Sequence, residues 1–128
     1  MKYKKTIIFV DKHMNDLLKD LQTLIKQPSI SAKNEGIEEC AVLVAKMLKK
    51  AGVSSEILRL NKTAAPLVFG EIKSKSNPAK TLLFYNHYDV QPIEPLGEWN
   101  DPPFSGKIIG NKIFGRGASD DKGELITR

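Results

Sequence analysis

An α/β sandwich is the fold class this sequence predicts, on three observations. Two stretches with helical apolar spacing come first, β-type runs follow from residue 54 onward, and one of those runs is apolar almost without interruption. An unbroken apolar run of strand length is what a central strand covered on both faces of its sheet looks like.

From Met14, the residues Leu17, Leu18, Leu21, Leu24 and Ile25 recur at three- and four-residue steps, which lines them along one helical face. Pro28 ends this first helix, and Gln27 to Ser31 has the turn chemistry of a connection. Asn34 can cap a second helix, with Glu35, Glu38 and Glu39 in its first turns, Lys46, Lys49 and Lys50 near its end, and Gly52 closing it. Its buried stripe is Ile37, Cys40, Ala41, Val44, Ala45 and Leu48. Beyond Gly52 the period changes, and strands are predicted over 54–60, 67–72 and 81–89, with an exposed turn at 75–80. The third strand opens Thr81-Leu82-Leu83-Phe84-Tyr85 and is the one expected at the centre of the sheet. Residues 91–104 hold four prolines and a tryptophan with little periodicity, so they form an irregular connection, a kind of segment that often carries function. Lys107-Ile108-Ile109 and Lys112-Ile113-Phe114 then flank Gly110-Asn111 as a tight hairpin, and Gly123 to Arg128 begins a further helix.

Composition narrows the function classes. A length of 128 residues allows one hydrophobic core, and 41% hydrophobic with 27% charged residues is ordinary for a soluble domain. No apolar run approaches the ~20 residues that span a bilayer. The start is basic, but the apolar stretch Thr6 to Val10 is short for a secretory signal, so a cytoplasmic protein is expected. The net charge of +5 comes from scattered lysines, with no basic stripe interleaved with aromatics, which argues against a nucleic-acid partner. Cys40 is the single cysteine, leaving neither an internal disulfide nor a CxxC metal knuckle.

Chemistry is concentrated in two places. In Asn86-His87-Tyr88-Asp89, at the end of the apolar run, His87 and Asp89 are two apart and share a face of an extended chain. Open α/β sheets build their sites at such strand ends, and an imidazole there can bind a metal through one nitrogen while a carboxylate fixes the other. A lone histidine is more often structural; the nearby carboxylate brings the two readings level. In Gly115-Arg116-Gly117-Ala118-Ser119-Asp120-Asp121-Lys122-Gly123, flanking glycines allow a sharp turn that presents Asp120 inward. A nucleotide loop fails because Asp120 stands where a third glycine belongs, and a calcium loop fails for want of alternating acidic ligands. Taken alone, this stretch reads as an acidic turn capping the next helix. One imidazole and several carboxylates could together hold a hard or borderline cation, zinc being favoured by His plus Asp ligation.

The run Leu82 to Pro92, then Trp99, Pro103-Phe104 and Gly115 to Gly123, resembles the paired signatures of the zinc aminoacylase, carboxypeptidase and dipeptidase superfamily, and Pro28-Ser29-Ile30-Ser31 resembles the segment after its first helix. That superfamily includes acetylornithine deacetylase, succinyl-diaminopimelate desuccinylase, carboxypeptidase G and carnosinase. The resemblance implies a three-layer α/β sandwich with a central, largely parallel sheet, of which residues 1–128 would be the N-terminal portion, without the smaller lid and dimerisation domain. It implies that His87 ligates one zinc, that Asp120 bridges two, that Asp89 orients or polarises the His87 imidazole, and that the Asp120–Asp121 peptide bond is cis. Cobalt or manganese could replace zinc. Gln91-Pro92 and the Trp99 loop look most like the dipeptidase branch, so the implied substrate is a dipeptide or an N-acyl amino acid, cleaved by a water between the two metals. Full-length members are often homodimers. The family's general-base glutamate and its remaining metal ligands follow its second motif and have no counterpart in this sequence, so the chain alone is expected to be inactive.

Overall fold

The structure is a computed structural model that describes residues 3–76, 78 and 80–128. Of the predicted turn at 75–80, Asn77 and Ala79 lie outside the described residues, as do Met1 and Lys2 of the basic start. The chain runs through α1 (Lys4–Lys26), a 3-10 turn (Ser31–Lys33), α2 (Ile37–Lys50), β1 (Ser54–Leu58) and β2 (Leu67–Glu71). A second 3-10 turn (Leu96–Glu98), β3 (Lys107–Ile109), β4 (Lys112–Phe114) and a short α3 (Lys122–Thr127) complete it.

Both long helices form where apolar residues recur at helical spacing. α1 begins at Lys4, well before the predicted Met14. The added turns carry Ile7, Ile8, Phe9 and Val10 exposed, so their helicity comes from local backbone bonds rather than from a packed face. Only Leu24 and Ile25, at the other end, are fully buried. α2 buries Ile37, Cys40, Ala41, Val44 and Ala45, as its stripe predicts. Its cap is Gly36 rather than Asn34. Asn34 instead takes a left-handed conformation that ends the first 3-10 turn, which leaves Glu35 outside the helix. Gly52, with φ 83°, closes α2 as expected, and the amides of Gly52 and Val53 return to the carbonyls of Lys49 and Leu48.

The strands depart from the expected sheet. β1 and β2 pair antiparallel in register Ser54 with Glu71 through Leu58 with Leu67, and β3 pairs antiparallel with β4 around Gly110-Asn111. Among the described residues, parallel pairing is limited to one bridge between Ile30 and Val90. The predicted strand over 81–89 therefore does not form: its backbone has no ladder, and Leu82, Leu83 and Tyr85 are 75%, 82% and 87% exposed. A central strand needs neighbours about 4.8 Å away on both edges. Both hairpins here pair only internally.

The core lies where α1, α2 and α3 meet. Leu24, Cys40 and Val44 form its centre, with Leu48, Val68, Tyr88, Leu125 and Ile126 packed around them. No helix among the described residues is long and apolar enough to cross a membrane.

Candidate metal centre

The site is assembled on the connection between α1 and α2. Pro28 breaks the helix, and beyond it Ser29 and Ser31 turn to a distant segment of the chain, while Ile30 bonds locally to Glu35. Ser29, fully buried, donates its hydroxyl to the Tyr88 carbonyl at 2.7 Å. The Val90 amide donates to the Ser29 carbonyl at 2.8 Å, and the Ser31 amide returns to Val90. Tyr88 is thus held from behind, and His87 and Asp89 on either side of it are turned the other way, as alternation along extended backbone requires.

His87 is gripped at both ring nitrogens. Nδ1 lies 3.1 Å from the Asp89 carbonyl and 3.3 Å from its carboxylate. Nε2 lies 2.9 Å from Asp120 Oδ1, across 33 residues of sequence. Burial pushes the His87 imidazolium down, but the Asp89 carbonyl, the Asp120 carboxylate and the charges of both acids outweigh it, so its pKa stands above the ordinary histidine value. The face between Nε2 and Asp120 is open to solvent, the Asp120 side chain being 84% exposed.

The turn that delivers Asp120 depends on glycine. Gly117 is buried at φ 82°, a left-handed conformation that other residues rarely adopt. A side chain at Gly123 would put its first carbon 2.2 Å from the Ala118 carbonyl oxygen. The Asp120–Asp121 peptide bond is cis, as the resemblance implies. Asp121 points at the first motif, where its Oδ2 accepts from the Asn86 side-chain amide at 2.9 Å and from the His87 backbone amide at 3.0 Å. Burial pushes the Asp121 carboxyl up, but these two donors and the nearby His87 pull it below the usual carboxylate range. Lys122 follows, fully buried, with Nζ 3.0 Å from the Leu24 carbonyl and 2.6 Å from that of Gln27. Burial pushes its ammonium pKa down.

The irregular connection is fastened to the second motif by Arg116. Its guanidinium donates to the Pro92 carbonyl at 2.8 Å and stacks 5.0 Å from the centre of the Trp99 ring. The indole in turn donates to Ile93.

All three residues singled out from sequence therefore come together: Asp89 on Nδ1 of His87, Asp120 on Nε2. The donor chemistry fits zinc, since bonds of about 2.0–2.2 Å at tetrahedral angles place two such ligands about 3.3 Å apart. The observed 2.9 Å is close to that spacing, and the exposed Asp120 carboxylate can open the remainder. Among the described residues, no group of three or more His, Cys, Asp or Glu is arranged to hold a metal ion. Ser29, Asn86 and Lys122 are the residues the sequence reading passed over. Each acts through a partner far along the chain, and the local signals were the placing of Asn86 and Lys122 inside the motifs and of Ser29 in the family-like segment after the first helix.

A model of peptidase family M20/M25/M40 matches residues 83–128, the stretch that holds His87, Asp89 and Asp120. Over 105 residues the chain is 39% identical to succinyl-diaminopimelate desuccinylase of Blochmanniella pennsylvanica, covering 81% of this chain and 26% of that protein. Over residues 83–128 the chain is similar to peptidase family M20/M25/M40. An M20 family metallo-carboxypeptidase from Sulfolobus solfataricus superposes with a TM-score of 0.79 at 43% identity, over 86% of this chain and 24% of the other. Human carnosine dipeptidase 1, at 22% identity, shares the fold with a TM-score of 0.82 over 98% of this chain and 29% of its own. The chain thus spans about a quarter of the length of these M20-type relatives, and it is the N-terminal part of the family's domain that it matches.

Proposed function

We propose that this chain contributes the first half of the metal site of a dinuclear zinc hydrolase that cleaves dipeptides or N-acyl amino acids. The observation that carries this reading is the grip on His87, with Asp89 on Nδ1 and Asp120 2.9 Å from Nε2. In it, His87 Nε2 and Asp120 would hold the metal, and Asp89 would fix the tautomer that leaves Nε2 free to bind. Bound zinc supplies an acidified water and polarises the amide carbonyl. Asn86 and the His87 amide hold Asp121, which keeps the adjacent Asp120 facing the imidazole. The complete protein would be a three-layer sandwich in which residues 81–89 form a strand of a largely parallel sheet, and it would act as a cytoplasmic homodimer.

A second reading makes this chain a catalytically inactive relic, or a segment that pairs with a separately encoded remainder. It is supported by the two-donor site among the described residues, where catalytic zinc normally has three protein ligands. One experiment addresses both. Zinc, cobalt and manganese binding is measured on the wild type and on His87→Ala, alongside dipeptide hydrolysis. Weak binding that disappears with His87→Ala, without turnover, is the expected result. Metal binding indifferent to His87→Ala would refute the site, and robust turnover would refute the inactive reading.

A further inference from the structure

Lys122 has no evident reason to be a lysine if its task is only to fill space. It is the largest fully buried side chain among the described residues, and no carboxylate there lies within ion-pairing distance of it. Burying an ammonium is costly unless its protons are taken up. Here they go to Leu24 and Gln27, carbonyls of the last turn and the cap of α1, which have no partner within the helix and stand at its negative end. Two residues beyond Gln27, Ser29 of the same connection holds Tyr88 and Val90. The two motifs are therefore hung from one short piece of backbone, the first through Ser29 and the second through Lys122.

We infer that Lys122 is a positioning residue, whose ammonium, seated on the Leu24 and Gln27 carbonyls, sets the Asp120-Asp121 turn against Asn86 and His87. It touches neither a metal ligand's donor atom nor any reacting group. Its effect passes through the backbone of the turn to two observable contacts, the Asn86 amide and the His87 amide on Asp121. The inference rests on the reading of His87 and Asp120 as ligands, but those two contacts exist without metal and can be read without it.

The test uses the whole chain with Lys122→Met, Lys122→Gln and Lys122→Arg. Backbone and side-chain amide NMR reads the Asn86 and His87 resonances, methyl NMR of Leu24 and Val44 reports whether the core is intact, and zinc affinity is measured separately. The expected result is an intact core with displaced Asn86 and His87 resonances in the Met and Gln variants, partly restored in Lys122→Arg. Zinc affinity should fall roughly 10- to 100-fold in parallel, the range found when an indirect supporting partner of a metal ligand is removed. A folded Met or Gln variant with both resonances unmoved overturns the inference. If neither variant folds, Lys122 serves stability alone and the inference is equally overturned. A wild type that binds no zinc would defeat the metal reading while leaving the NMR comparison to decide the role of Lys122.

Discussion

Ser29→Ala isolates the contact that holds the first motif in place. The Tyr88 carbonyl accepts from the Ser29 hydroxyl at 2.7 Å and, more weakly, from the Cys40 thiol at 3.8 Å. Removing the hydroxyl leaves a part-buried carbonyl with only the thiol, a poor donor. A buried acceptor without a partner costs about 1–3 kcal/mol, and the residual thiol contact puts this case in the lower part, about 1–2 kcal/mol. For a chain of this size that is a fall in Tm of roughly 3–10 °C. Urea unfolding followed by circular dichroism supplies the free energy, and hydrogen exchange supplies the location. The Val90 amide, which donates to the Ser29 backbone carbonyl and would survive the substitution, should exchange faster because its segment is held by one bond fewer. A loss below about 0.5 kcal/mol, the range of an ordinary surface change, would refute the argument that Ser29 anchors the site.

Asp89→Asn should weaken zinc binding by no more than about tenfold, the low end for such partners, because the Asp89 backbone carbonyl still lies 3.1 Å from Nδ1 and preserves the tautomer. A loss of all binding would mean that the carboxylate itself is a ligand. Burial pushes the Tyr88 phenol up from 10.0 to about 12, so in alkali the unfolded chain ionises first. The folded state then holds more protons than the unfolded one, and stability falls as pH rises through that window. Tyr88→Phe should remove this part of the alkaline loss, and an unchanged pH profile of the variant in urea titrations would count against it.

What the sequence disclosed and what it withheld divide along physical lines. α2 was legible because its core contacts recur every three or four residues, and His87 with Asp89 because side-chain alternation is a local rule. The start of α1 was not, since residues 4–13 are helical without a buried face to leave a periodic trace. Asn34 misled because it is a good cap in isolation, and the approach of Gly36 to the Pro28 carbonyl decides where α2 begins. Residues 81–85 carry a strand's composition, but a strand is a relation between segments, and none of the described residues supplies its neighbour. Ser29, Asn86 and Lys122 find their partners 59, 35 and 98 residues away, distances at which no spacing rule operates. The reaction class came from the resemblance of whole motifs, which geometry then made chemically coherent.

The boundary between Tyr85 and Asn86 has a practical consequence. On one side the side chains stand in water without tertiary hydrogen bonds; on the other, Asn86 to Val90 are tethered to Asp121 and Ser29. A label placed at Leu83 would therefore sit a few residues from His87 yet be mechanically insulated from it. Such a probe would report the surroundings of the exposed run, while the imidazole behind the boundary keeps its own contacts.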